Sequence, residues 1–174
     1  MPDRSVLGDM TKDQLIELLE DAAKNWLAHD GVWSQAIEQR YGMQAAIECD
    51  VAAWARFTEI EARRILDRSG ITPGGGLEAL QAALPLRMYA RINEQTLTLP
   101  DGRTLRFEMN ACRVQEARRR KGLADFPCRP VGLAEYAGFA RTIDARIEPH
   151  CIACPPDPHP ESFWCAWEFS LPGA

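Results

Sequence analysis

Residues 96–109 read TLTLPDGRTLRFEM. Apolar and polar side chains alternate in 96–99 and again in 104–109, on either side of Pro100, Asp101, Gly102 and Arg103. A period of two around such a tetrad is the signature of a β-hairpin. Everything upstream follows a different rule. Thr11 and Gln14 form a capping-box pattern, and Leu15, Leu18, Leu19, Ala22 and Trp26 recur at helical spacing, predicting an amphipathic helix over 11–28. His29, Asp30 and Gly31 are expected to interrupt it, with Asp30 capping a second helix that turns Val32, Trp33, Ala36 and Ile37 inward and ends at Gly42. Ile47, Val51, Trp54, Thr58, Glu61 and Ile65 mark the inner stripe of a long third helix, stopped by Gly70.

Downstream of the hairpin both periods appear. Helical patterns occupy 112–121 and 131–143, and strand patterns occupy 146–152 and 163–171, the last two joined by a proline-rich loop. The fold class is therefore α+β: an N-terminal helical layer packed on a small, mostly antiparallel sheet with two further helices. Thr72-Pro-Gly-Gly-Gly76 reads as a hinge followed by a short helix. The whole of 1–174 is expected to be one domain, with a helical half 1–70, a hinge segment 71–85 and a cysteine-rich α+β half 86–174, because either half alone would bury a thin core.

Composition narrows the class of function. With 46% hydrophobic and 26% charged residues, and no apolar run of membrane-spanning length, the chain reads as a soluble protein. A formal net charge of −5 gives no reason to expect nucleic acid. The basic cluster Arg113, Arg118, Arg119, Arg120 and Lys121 reads as a solvated helix face, with an anion-binding edge as the other reading. The N-terminal stretch MPDRSVLGDMTKDQL lacks a secretory pattern, so the expected compartment is the reducing cytoplasm, where cysteines are thiols or metal ligands.

Residues 150–169, HCIACPPDPHPESFWCAWEF, carry the chemistry. Cys151 and Cys154 have the Cys-x-x-Cys spacing that brings two thiolates to one ion, and Cys112 and Cys128 open the two later helices, where the macrodipole favours thiolate. The expected metal ligands are Cys112, Cys128, Cys151 and Cys154, with Cys165, His150 or His159 as substitutes; zinc is the expected metal and an iron–sulfur cluster the alternative. Four sulfurs would close a structural zinc site, whereas three would leave a position for substrate. Cys49 stands apart in the third helix and reads as packing. His29, beside Asp30, and Glu61, a carboxylate on an apolar stripe, are the candidate proton carriers.

The motifs His29-Asp-Gly-x-Trp33, Glu38-x-x-Tyr-Gly-Met43, Ala46-x-x-x-Asp-x-x-x-Trp54, Cys112-Arg-x-Gln-Glu-Ala-Arg118, Gly138-Phe-Ala-Arg-Thr-Ile-Asp144 and Cys154-Pro-Pro-Asp-Pro-His-Pro160 resemble an uncharacterised family of small cytosolic proteins of mostly anaerobic bacteria and archaea. More distantly, the layout is similar to the L-2-amino-thiazoline-4-carboxylic acid hydrolase group, which implies that Cys112, Cys128 and Cys165 correspond to the recurring cysteines of those proteins. The chain departs from that group at Cys151, Cys154 and the proline loop. The expected function is a metal-binding protein with a cysteine-lined small-molecule site that hydrolyses a C–N bond in a small cyclic compound. Its alternatives are a non-catalytic ligand-binding or sensor module braced by a structural metal site of four cysteines, and an iron–sulfur or thiol redox protein. The expected partner is a small molecule, with no nucleic acid and no membrane, and a homo-oligomer is compatible with the sequence.

Overall fold

A computed structural model describes residues 4–173; the first three residues of the N-terminal stretch and Ala174 lie outside the described residues. A short turn of helix, α1 (Ser5–Gly8), leads into two long helices, α2 (Lys12–Tyr41) and α3 (Met43–Ser69), packed as a helical hairpin. Then come α4 (Gly76–Ala83), two 3₁₀ turns (Leu84–Leu86 and Met88–Arg91) and the hairpin of β1 (Glu94–Thr98) and β2 (Thr104–Ala111). Helices α5 (Arg113–Arg120) and α6 (Arg129–Ile143) precede β3 (Glu148–Ala153) and β4 (Cys165–Ser170). The sheet is antiparallel in the order β1-β2-β4-β3. The expected α+β class, hairpin and tail strands are all present.

Thr11 starts α2 with a complete capping box: its hydroxyl accepts from the Gln14 amide while the Gln14 side chain accepts from the Thr11 amide. The expected break at His29-Asp30-Gly31 is absent, and α2 runs through it. One interior glycine costs only about 1 kcal/mol against alanine, which the flanking helix formers outweigh. Asp30 is thus no cap. Nor is most of the apolar stripe of α2 core: Leu15, Leu18, Leu19, Val32 and Trp33 are exposed, Ala23 is its one buried side chain, and Trp26 is half-buried against Trp54.

The core lies between the sheet and α3, α4 and α6. Leu105, Phe107 and Met109 of β2 and Cys165, Trp167 and Phe169 of β4 alternate onto the covered face and meet Tyr136, Phe139, Ala140 and Ile143 of α6. The expected hinge is pinned to this core. Gly74 donates to the Ile143 carbonyl (2.9 Å), Gly76 donates to Asp144 (3.0 Å), and Arg146 donates to the Gly74 carbonyl (2.9 Å).

Helices α3 and α6 approach closely because Gly138 faces Thr58, whose buried hydroxyl donates to the Glu135 carbonyl (2.8 Å). A Cβ at position 138 would stand 2.5 Å from Thr58 Cγ2. Gly138→Ala should therefore cost about 1–3 kcal/mol by forcing the helices apart. Adding Thr58→Ser, which deletes the clashing methyl and keeps the hydroxyl, should recover most of it, as read from urea midpoints.

Candidate functional site

Three elements deliver the thiols to one place. Cys165 opens β4 beside Met109 of β2, Cys151 lies opposite Trp167 in the β3–β4 ladder, and Cys128 immediately precedes α6. A bulge after Cys151 resets the side-chain alternation of β3. Ala153 consequently joins Phe163 and Ala166 in a small separate cluster, while Cys154 returns to the main core with Cys151 and Cys165.

Local bonds then lock the proline loop onto the start of α6. Arg129 donates its amide to the Pro155 carbonyl (2.9 Å) and pairs its guanidinium with Asp157. Asp157 also accepts from the Cys154 amide (3.3 Å) and donates its own amide to the Cys154 carbonyl (2.9 Å). Gln115, fully buried, holds the segment before α6 from the other side. Its amide group donates to the Phe126 carbonyl (2.8 Å) and to Cys128 Sγ (3.4 Å), and its oxygen accepts from the Phe126 amide (2.8 Å).

The sulfurs gather around Cys154. Its Sγ is 3.6 Å from Cys128 Sγ, and it packs in one buried cluster with Cys151 and Cys165. These neighbours and burial push the Cys154 thiol far up, whereas its hydrogen bond to Cys151, reinforced by Arg129, pulls the Cys151 thiol down against desolvation. Cys112 sits beside Cys165 and Cys128, but burial raises it to about 12 even though two backbone amides of α5 stabilise the thiolate. Desolvation therefore overrides the helix-start effect expected there. His150 is exposed on β3, and His159, its ring tilted 42° against Trp164 (5.4 Å), bonds the Pro160 carbonyl. The substitute ligand brought into the cluster is Cys165.

Among the described residues, no group of three or more His, Cys, Asp or Glu side chains stands ready, as placed, to hold a metal ion. One edge already has the right length, because a Zn–S bond of about 2.3 Å implies a tetrahedral S–S edge of about 3.8 Å. The donors are chemically those a soft ion takes.

Cys112, Cys128, Cys154 and Cys165 all line a cavity of about 350 Å³ whose other walls include Trp54, Tyr89, Val131 and Tyr136. Three carboxylates line it too: Asp30 from α2, Asp50 from α3 and Glu135 from α6. Burial raises Asp30, and burial with the charges of Asp30 and Glu135 pushes Asp50 up to about 7. Burial likewise takes Glu135 to about 7 although Arg87 opposes it.

Arg87 is the buried cation of this region, 3% exposed, between Glu61 (Nε to Oε2, 2.8 Å) and Glu135 (Nη2 to Oε1, 2.8 Å) and over the Phe139 ring (4.7 Å). Glu61 also accepts from the Met88 amide (3.1 Å). Both Glu61 oxygens are thus engaged, and neither Glu61 nor the exposed His29 lines the cavity. The carboxylates that do line it are Asp30, Asp50 and Glu135. At the outer edge Arg118, expected on a solvated face, is buried and gripped by Glu38 (2.6 and 3.0 Å). Cys49 is exposed on α3, away from the cluster.

The chain belongs to a family of unknown function, DUF6125, whose model matches residues 8–171. No curated protein and no solved structure matches it. Among the described residues no helix is long and apolar enough to cross a membrane.

Proposed function

We propose that this protein binds a soft metal ion, zinc first and an iron–sulfur cluster second, through Cys128, Cys151, Cys154 and Cys165, at the floor of a pocket that takes a small molecule. The observation that carries this reading is the packing of Cys151, Cys154 and Cys165 in one buried cluster, with Cys128 Sγ 3.6 Å from Cys154 Sγ, beside a cavity of about 350 Å³, ample for a small organic compound. Binding requires the Cys151 and Cys165 thiols to turn toward the Cys128–Cys154 edge. It also deprotonates the set, which the lowered Cys151 thiol and the nearby Arg129 guanidinium favour.

Hydrolysis of a C–N bond in a small cyclic compound is the chemistry that the similarity to the L-2-amino-thiazoline-4-carboxylic acid hydrolase group suggests. Cys112, Cys128 and Cys165, the three cysteines of that similarity, all line the cavity. A bound ion with one open position supplies a Lewis acid there. The chain's own share is proton transfer: Asp50 and Glu135, each poised near neutrality, hold or release a proton inside a mostly apolar pocket. If all four sulfurs close the shell, the metal braces the β3–β4 end and the pocket binds without catalysis. A dithiol reading draws on Cys151 alone, the thiol most readily ionised beside Cys154.

Elemental analysis and an absorbance spectrum on protein purified without oxygen test the proposal, with Cys154→Ser alongside. About one zinc per chain, or iron with visible absorbance, lost in the variant, is the expected result. Wild-type protein free of both metals with titratable thiols would overturn it in favour of thiol chemistry.

A further inference from the structure

We propose that Cys128 and Cys154 form a reversible disulfide with each other when a peroxide enters the cavity, and that this bond switches the metal site off. The switching rests on the ligand set proposed above; the bond itself does not. Cys128 Sγ and Cys154 Sγ lie 3.6 Å apart although the residues are 26 positions apart on different elements. A disulfide sets its sulfurs about 2.05 Å apart, which leaves a gap of roughly 1.5 Å to close. Side-chain rotation closes it, because both backbones are pinned. The Cys128 carbonyl accepts from the Gly132 amide (2.8 Å), the Cys154 carbonyl accepts from the Asp157 amide (2.9 Å), and the Arg129 amide ties the two segments together at the Pro155 carbonyl (2.9 Å).

Burial sets the order of events. Cys128 is half-buried on the wall of the cavity, whereas Cys154 on the same wall is 2% exposed. A peroxide in the cavity therefore meets Cys128 first. Gln115 holds that thiol in place, its side-chain amide donating to Cys128 Sγ (3.4 Å). The sulfur attacks one oxygen of hydrogen peroxide, the O–O bond breaks, and Cys128 becomes a sulfenic acid as the other oxygen leaves in water. Cys154 Sγ then attacks the Cys128 sulfur, the S–O bond breaks, and a second water leaves. Two thiols have lost two electrons and two protons, and one hydrogen peroxide has become two waters. A disulfide sulfur no longer offers the thiolate that a soft ion binds. Oxidation thus withdraws two of the four proposed ligands, and Cys151 and Cys165, packed with Cys154 in the core, cannot complete a tetrahedral shell alone. A thiol reductant restores the set.

Hydrogen peroxide added to the whole chain, reduced and stripped of metal, tests the bond. The protein should lose two of its six thiols, peptide mapping should recover Cys128 linked to Cys154, and dithiothreitol should return both. Cys154→Ser should stop at the Cys128 sulfenic acid, which dimedone traps, while Cys112→Ser should still form the crosslink. A crosslink through any other pair, or oxidation with no crosslink, would overturn the inference. Zinc-loaded protein tests the switch: the same peroxide should release about one zinc per chain, which rebinds on reduction. Zinc kept by the crosslinked chain would overturn the switch and leave the metal reading standing. A chain that forms the crosslink but takes up no zinc would uphold the disulfide and sink the metal reading instead.

Discussion

Arg87→Met should destabilise the protein by about 3–5 kcal/mol near neutral pH, because removing one partner of a buried ion pair leaves uncompensated charge behind. Two carboxylates would be stranded, Glu61 and Glu135, with side chains 11% and 8% exposed. Methionine fills part of the space over Phe139, so the loss is chiefly electrostatic. The pH dependence identifies it. Glu135 already titrates at about 7 with Arg87 present, and without that cation it is protonated more readily still. The deficit should therefore be largest above pH ~7 and shrink toward pH ~5 as the stranded groups take protons. Adding Glu61→Gln and Glu135→Gln should recover most of it. Urea unfolding across this range checks the prediction, and a deficit under about 1 kcal/mol that does not vary with pH would contradict the buried network.

Asp50→Asn should have the opposite sign. A carboxyl whose folded pKa lies above its unfolded value binds more protons in the folded state, so wild-type stability falls as pH rises between the two. For Asp50 that window runs from the ordinary 3.8 to about 7. Below it the carboxyl is protonated in both states, and the asparagine variant should match wild type. Above it the variant should be more stable by about 1–3 kcal/mol, the several-unit shift discounted for partial exposure. Equal stability of the two proteins at pH ~8.5 would show that the carboxylate bears no burial cost. A gain would mark Asp50 as a residue that lowers stability and serves the pocket.

The fold was readable where its signals are local. Alternation on both sides of Pro100–Arg103 specifies the β1–β2 hairpin, and the Thr11–Gln14 pair starts α2 as its side chains imply. Gly31 misleads because a single glycine is a weak helix breaker against thirty residues of helix. The exposed stripe of α2 misleads for another reason: spacing reports that a face is apolar without reporting that anything covers it.

The site divides the same way. Cys-x-x-Cys is a local motif, and Cys128 enters the cluster as a helix-start cysteine, but Cys165 does so only through β2–β4–β3 pairing. Cys112, the other helix-start cysteine, lines the cavity with its thiol raised by burial. Glu61 stood out as a carboxylate on an apolar stripe, yet its explanation is Arg87, 26 residues away. Glu135 carried no local sign and Asp50 only its place in the Ala46-x-x-x-Asp motif, since both shifts arise first from burial and then from carboxylates on other helices, Asp30 and Glu135 for Asp50 and Asp30 and Glu61 for Glu135. Gln115, which fastens the segment before Cys128, gave only its place in the Cys112-Arg-x-Gln motif.

Whether the thiols around Cys154 act as one ligand set opening on the acidic cavity is tested most directly with cobalt(II). Metal-free protein is titrated with the ion and followed by visible absorption. The expected result is saturation at about one equivalent with the intense absorption of tetrahedral thiolate ligation, abolished by Cys154→Ser. No thiolate–cobalt absorption in the wild-type chain would contradict a shared ligand set.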